Sequence, residues 1–329
     1  MKLIEYDDSF NQLNQEEKSL LQDCVISVQR YVRQSAEINK TKKPTRNVHA
    51  MSYGLLQGEF VPNPDSPEFF KKLFPNEKYK AQIRFSHSNP GISKQNENIP
   101  AFGLALQIHV SNEEDCNLPL INFPLFPIKS VAAFLKFFTA LNDFLSAKNQ
   151  SFWKRARLLG RLIWHGTAFI PHLFGSDMRR NLWNLLRSRN NFILSFDYHS
   201  IGAYRLGNRM VKYRLRPKSV PVMFQKDLYQ DERIANYLRK DRITYQVQIQ
   251  VCENLQDQPI NDLTVEWKNA NYVNVASLQI PSQHISPSQN EAIGFNPFHN
   301  PEKMLPVGKI QRIRKEVYDA SILARNTSI

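Results

Sequence analysis

Two hydrophobic periods alternate along the chain. From residue 10 to 38 apolar side chains recur at helical spacing, with Leu13, Leu20, Leu21 and Val25 on the inner side. This predicts a helical arm over residues 1–40. A basic, Pro-terminated link fills 40–44, and a strand pattern then starts at Arg46, Asn47, Val48, His49 and Ala50 and runs to Phe60. Pro62 to Pro67 breaks it. Ser66, Pro67 and Glu68 make a good helix start, so 67–74 reads as a short helix. Residues 80–87 and 102–110 read as strands. A third, 118–129, carries Pro119, Pro124 and Pro127, which place it at an edge or beside a bulge. Residues 130–147 form a Phe-rich helix, and 152–189 a mostly helical insert. Gly207-Asn208 is a common two-residue turn, so 198–214 predicts a hairpin. A helix over 227–240 follows. Ile243, Tyr245, Val247, Ile249 and Val251 then alternate with Thr244, Gln246, Gln248 and Gln250, a strand apolar on one face only. Ala276, Leu278 and Ile280 mark another.

Long antiparallel strands with helices inserted and appended fit an α+β chain built on a closed antiparallel β-barrel. The 11 glycines and the lack of a repeat period argue against a solenoid or propeller. No linker divides the sequence, so 1–329 reads as a single domain: the arm 1–40, then a barrel core 41–329 with inserted basic helices at 150–190 and a last helix at 309–325. Cys24, Cys116 and Cys252 have neither metal nor disulfide spacing, which suits a reducing compartment. There is no basic-then-apolar leader, and no apolar run approaches the ~20 residues of a membrane span. The expectation is a cytoplasmic protein. Net charge is +13, which by itself chooses no partner. The 152–189 segment mixes Lys154, Arg155, Arg157, Arg161, Arg179, Arg180, Arg187 and Arg189 with Trp153, Trp164 and Trp183. That pattern predicts a solvated face or a peripheral membrane contact, and does not favour nucleic acid.

The last helix carries the candidate chemistry. At 100° per residue Arg314, Tyr318 and Arg325 fall at about 0°, 40° and 20°, one narrow stripe. Arg314 is one turn before the Tyr318 phenol, and a cation there favours the ionised ring oxygen. A phenolate is a hard anionic ligand and one of the few side chains that hold haem iron.

Arg46-x-Val48-His49-Ala50, then Arg84-Phe85-Ser86, then Arg314-x-x-x-Tyr318 with Arg325 resemble, in order and spacing, the haem catalase family over roughly residues 40–325. Val211-Lys212-Tyr213-Arg214, Glu266-Trp267 and Phe295-Asn296-Pro297 are similar to later segments of that family. The resemblance implies a catalase-like barrel holding haem b, with Tyr318 as iron ligand and Arg314 keeping it a phenolate. It implies His49 as distal acid/base, Ser86 fixing its tautomer and Val48 packing on the haem. Arg46, Arg84 and Arg325 would hold the propionates, and Phe126 and Phe134 would line the pocket. The activity implied is reduction of hydrogen peroxide or an organic hydroperoxide by way of a ferryl haem, in a chain that forms a homo-oligomer. Two related readings are a lipid-hydroperoxide isomerase similar to the catalase-related allene oxide synthases, and a haem-binding protein without turnover. The family's distal Asn stands three residues before a Pro. Here Ile121 stands three before Pro124 and Asn122 is one residue late. A one-residue shift on a strand turns the side chain to the other face. Asn122 therefore acts as the distal amide only if a bulge restores it. The remaining histidines, His87, His109, His165 and His299 among them, show no metal spacing and read as structural. The expectation is that these residues hold no counterpart of the family's C-terminal helical domain.

Overall fold

The structure is a computed structural model that describes residues 4–92, 100–111, 114–188, 192–221, 228–285 and 293–326. Arg189 and Asp227, at the edges of two expected elements, lie outside the described residues.

After a short 3-10 turn the chain enters α1 (Gln15–Asn39). Asn14 and Glu17 form a capping box there, each side chain accepting from the other's backbone N–H at 2.8 Å. Strand β1 (Ser52–Pro62) and the short α2 (Glu68–Lys71) lead to β2 (Tyr79–His87), β3 (Phe102–His109) and β4 (Asp115–Ile121). Helix α3 (Val131–Ser146) starts where Ser130 Oγ accepts from Ala133 N at 3.2 Å. The inserted helices are α4 (Phe152–Gly166), α5 (Ile170–Leu173) and α6 (Ser176–Arg187). Strands β5 (Tyr198–His199), β6 (Ala203–Leu206) and β7 (Arg209–Pro217) follow, then α7 (Gln230–Leu238), β8 (Ile243–Val251), β9 (Val273–Ile280), β10 (Pro306–Val307) and α8 (Lys309–Asn326). Gly207 turns the β6–β7 hairpin at φ +67°.

Neighbouring strands pair antiparallel in the order β7-β5-β4-β3-β2-β1-β9-β8, and β8 returns to β7, so the sheet closes. Strands β6 and β10 extend it from β7. The expected α+β closed antiparallel barrel is the observed architecture. Its interior is filled by Leu56, Phe85, Leu104, Leu106, Tyr198 and Tyr245, all fully buried. Burial of each such side chain stabilises the fold by about 1.5–3 kcal/mol. A second apolar cluster joins α1, α3 and α8 outside the barrel.

Three local expectations are corrected. The strand read from Arg46 begins only at Ser52, because His49 adopts a left-handed φ of +57° and bends the chain. The strand read over 118–129 is 115–121, and the prolines at 124 and 127 follow it as irregular chain. The polar side of β8 is covered at its C-terminal half. Gln248 accepts from Arg214 Nε at 2.8 Å and donates to Asn274 Oδ1 at 2.7 Å, while Gln250 donates to Ala270 O at 2.9 Å.

Candidate active site

The site stands on the outer face of β2, β3 and β4, where α8 lies against the barrel. Cross-strand partners in register share a face. Arg84, Ala105 and Pro119 form one row there, and Ser86, Gly103 and Ile121 the next. The small residues at 103, 105 and 119 keep this floor low.

Residues 45–50 cross the floor and are tied down at several points. Thr45 N donates to Ser35 Oγ at 2.7 Å. Asn47 Nδ2 donates to Asn142 Oδ1 at 2.8 Å, and Asn142 Nδ2 donates to Ser27 Oγ at 3.1 Å. Arg84 Nη2 donates to His49 O at 3.0 Å. These bonds, from α1, α3 and β2, hold His49 in its left-handed conformation, which His tolerates better than most residues. Its Nδ1 lies 3.0 Å from Ser86 Oγ. A Cβ on Gly103 would stand 2.6 Å from both Nδ1 and Cε1 of His49 and 3.0 Å from Ser86 Oγ, so the imidazole rests on bare backbone.

Helix α8 supplies the other wall. Gly308 precedes it at φ +103°, and a Cβ there would meet Asn261 Oδ1 at 3.1 Å. That same oxygen accepts from Lys309 N at 2.7 Å, satisfying a free amide of the first turn. Further along, Arg314 Nη2 donates to Tyr318 Oη at 3.0 Å, and its other arm donates to Gln311 Oε1. Gln311 presses on Gly202, where a Cβ would stand 2.6 Å from its Cγ. Burial works against the Arg314 charge, yet Tyr318 and Tyr204 beside it raise its pKa above the ordinary guanidinium value.

Between the two walls is a cavity partly open to solvent. Arg46, Val48, His49, Arg84, Ser86, Tyr318 and Arg325 all line it, so seven of the expected site residues come together. Arg314 stands behind Tyr318. Phe126 and Phe134 do not line the cavity. Their rings pack on each other at 5.1 Å in the α1–α3–α8 cluster. Asn122 does not line it either. Its Oδ1 accepts from Phe102 N and its Nδ2 donates to Pro100 O, both at 2.8 Å, so the amide is occupied by backbone. The β3–β4 register is continuous through Ile121, with no bulge to turn Asn122 round. Ile121 shares the face of Ser86 and Gly103 but does not line the cavity either.

Residues that sequence reasoning missed include Gly103, Ala105, Pro119, Phe295, Val317, Ser321 and Ile322. The last three were within reach, since they neighbour Tyr318 and Arg325 at helical spacing. Gly103 left no local signal. We expect Gly103→Ala to push the imidazole off Ser86 and lower any His49-dependent turnover about tenfold or more, for at most about 1–3 kcal/mol of stability. Thermal melting beside turnover checks this.

The electrostatics of the imidazole are one-sided. Burial, then Arg84, His87, Arg314 and Arg46, push the His49 pKa down to about 3. Burial, with Arg214 and Lys212, does the same to His199 on β5. Both are neutral in the fold and charge near 6.5 when unfolded. The unfolded chain then binds more protons below that pH, so stability falls as pH drops from about 6.5 toward 3. The expected slope is up to about 1.4 kcal/mol per pH unit for each histidine. Denaturant midpoints that do not move over this window would contradict it.

The donor set can be tested against the cofactor that the sequence resemblance implies. The cavity walls are apolar, with Val48, Ala105, Phe295, Val317 and Ile322, and carry three guanidinium groups. One phenol and one imidazole are its candidate iron-facing groups. Among the described residues no cluster of three His, Cys, Asp or Glu offers a bare metal site. A flat apolar macrocycle with two carboxylates and one iron fits this set: Tyr318 for the iron, Arg46, Arg84 and Arg325 for the carboxylates.

No protein-family model matches the chain, and no curated protein matches it in sequence. Among solved structures the chain is similar to a fungal catalase, with a TM-score of 0.64 and 17% identity over 88% of this chain and 61% of that one. It is similar to catalase A from Saccharomyces cerevisiae, with a TM-score of 0.58 and 15% identity over 89% and 62%. It is also similar to a bacterial catalase, with a TM-score of 0.62 and 17% identity over 88% and 59%. The chain therefore has a catalase-like fold and spans about three fifths of the length of each of these proteins.

Proposed function

We propose that the chain is a haem-dependent hydroperoxidase that reduces hydrogen peroxide or organic hydroperoxides. The observation that carries this reading is one apolar cavity lined by the His49 imidazole from the barrel side and the Tyr318 phenol from α8, with three arginines around it. Haem b, when bound, supplies the iron that accepts a peroxide oxygen and the two electrons that break the O–O bond, later returned by a second peroxide or another donor.

The protein's own groups do the rest. Tyr318 offers its ring oxygen to the iron, and Arg314 aims positive charge at that oxygen from 3.0 Å. Arg46, Arg84 and Arg325 neutralise the propionates in a site that would otherwise bury negative charge. His49 is neutral over the physiological range. With its proton on Nδ1 facing Ser86, Nε2 keeps a lone pair. It takes the proton from one peroxide oxygen and returns it to the other, which departs as water or alcohol.

The Asn122 amide is held by backbone and is not offered to a peroxide, and its neighbour Ile121 stands on the Ser86–Gly103 face. An apolar side chain there gives no hydrogen bond to a small polar substrate. Ile121→Asn is expected to raise hydrogen peroxide consumption about tenfold or more relative to an organic hydroperoxide. An unchanged ratio would remove Ile121 from the account. The whole reading is tested by visible spectra of the purified protein with each peroxide added. Protein that stays colourless from haem-replete cells ends it.

A further inference from the structure

Helix α4 exposes an apolar face that nothing in the described chain covers. At 100° per residue, Phe152, Leu159 and Ile163 lie within about 40° of one another, and Trp153 and Trp164 stand together beside them. All five are exposed, Phe152 by 76%, Trp153 by 81% and Trp164 by 72%. The helix lies along α3, and its half-buried leucines, Leu158 and Leu162, stand about a third of a turn away from this face. Arg161 fastens it there, with Nη1 3.1 Å from Asp143. The exposed stripe is therefore no misplaced core.

The pattern continues beyond α4. Phe174 is 70% exposed, and Trp183 on α6 is 55% exposed with the Arg187 guanidinium 4.8 Å above its ring. Three of the four tryptophans of the chain lie on these helices, and only Trp267 is in the core. Charge selects the occupant. Residues 152–187 hold seven Lys and Arg against one acid, Asp177. On the α4 wheel Lys154, Arg157 and Arg161 form the flank beyond the tryptophans. A second copy of the chain would set this cationic surface against itself. A nucleic-acid duplex would take the cations and leave Phe152, Ile163 and Trp164 in water.

We propose that α4, with α5 and α6, is a docking face for an anionic phospholipid bilayer. Phe152, Leu159 and Ile163 enter the headgroup–acyl boundary, the tryptophans lie at headgroup level, and Lys154 and Arg157 meet lipid phosphates. No helix among the described residues is long and apolar enough to cross a membrane, so the contact is peripheral. This role is independent of the chemistry proposed above. Taken with the function proposed above, it would place the protein where apolar hydroperoxides reside.

The test is co-sedimentation of the full chain with vesicles of phosphatidylcholine containing about a third phosphatidylglycerol, and with phosphatidylcholine alone. Binding to the anionic vesicles with a blue shift of tryptophan emission is expected, with much weaker binding to the neutral ones and at high salt. Ile163→Asp and the pair Lys154→Glu, Arg157→Glu should each weaken partitioning about tenfold or more. These side chains are in solvent, so melting temperature stays that of the parent and a folding defect is recognisable. No binding to anionic vesicles overturns the proposal, as does binding that survives Ile163→Asp. A dimer that the same variants dissociate, without vesicle affinity, assigns the face to a second copy and overturns it too.

Discussion

Tyr318→Phe is expected to leave the fold intact and remove haem-dependent activity. The ring stays, so the packing of α8 against the barrel changes little, and only Oη is lost. The Arg314 guanidinium then keeps Gln311 as an acceptor but no longer has the phenol 3.0 Å away. Losing a charge-assisted partner costs about 1–3 kcal/mol, which a folded domain can absorb. The chemical loss is larger, because no other phenol lines the cavity. Haem retention and the absorbance band should both change, and peroxide consumption should fall about 100-fold or more. A variant with the parent spectrum would show that the ring oxygen does not reach the iron.

The second large effect is expected at His49, with the opposite spectral signature. His49→Asn is the informative change. Asn accepts a left-handed φ as readily as His, and its amide can still meet Ser86, so the 45–50 segment keeps its path. What disappears is the proton carrier. Haem binding should persist, since Tyr318 and the arginines are untouched, while peroxide turnover falls by about 10²–10⁴. His49→Ala would confound this result with backbone strain. The pH dependence carries the same information. With the imidazole held down to about 3 by burial and by Arg84, loss of the base should appear only in strong acid. Turnover should stay level from about pH 5 upward as far as this group decides it. A fall centred near 6.5 would show that burial and the neighbouring arginines do not hold the imidazole neutral.

Local patterns identified most elements of the fold. The period-2 alternation of 243–251 is β8, the Gly207-Asn208 pair turns a hairpin, and Ser130 caps α3. Each depends on a few neighbouring residues, and for that reason each was legible. The seven candidate residues that share the cavity were found through ordered short motifs. Phe126 and Phe134 looked equally suitable by type. Their placement follows from the packing of α1, α3 and α8, elements far apart in sequence.

The sequence by itself determined the alternation of strands and helices, the stripe of Arg314, Tyr318 and Arg325 on one helix, and the cationic, tryptophan-bearing insert. These follow from periodicity and side-chain type. Tertiary structure decided three further things. It bent the chain at His49, where hydrogen bonds from α1, α3 and β2 hold a conformation that no local residue requires. It tied the Asn122 amide to the backbone of Phe102 and Pro100, while the unbroken β3–β4 register keeps Ile121 on the Ser86–Gly103 face. It also left the outer face of α4 bare, although α4 lies along α3. Each of these outcomes depends on contacts between segments remote in sequence, and periodicity carries no information about such contacts.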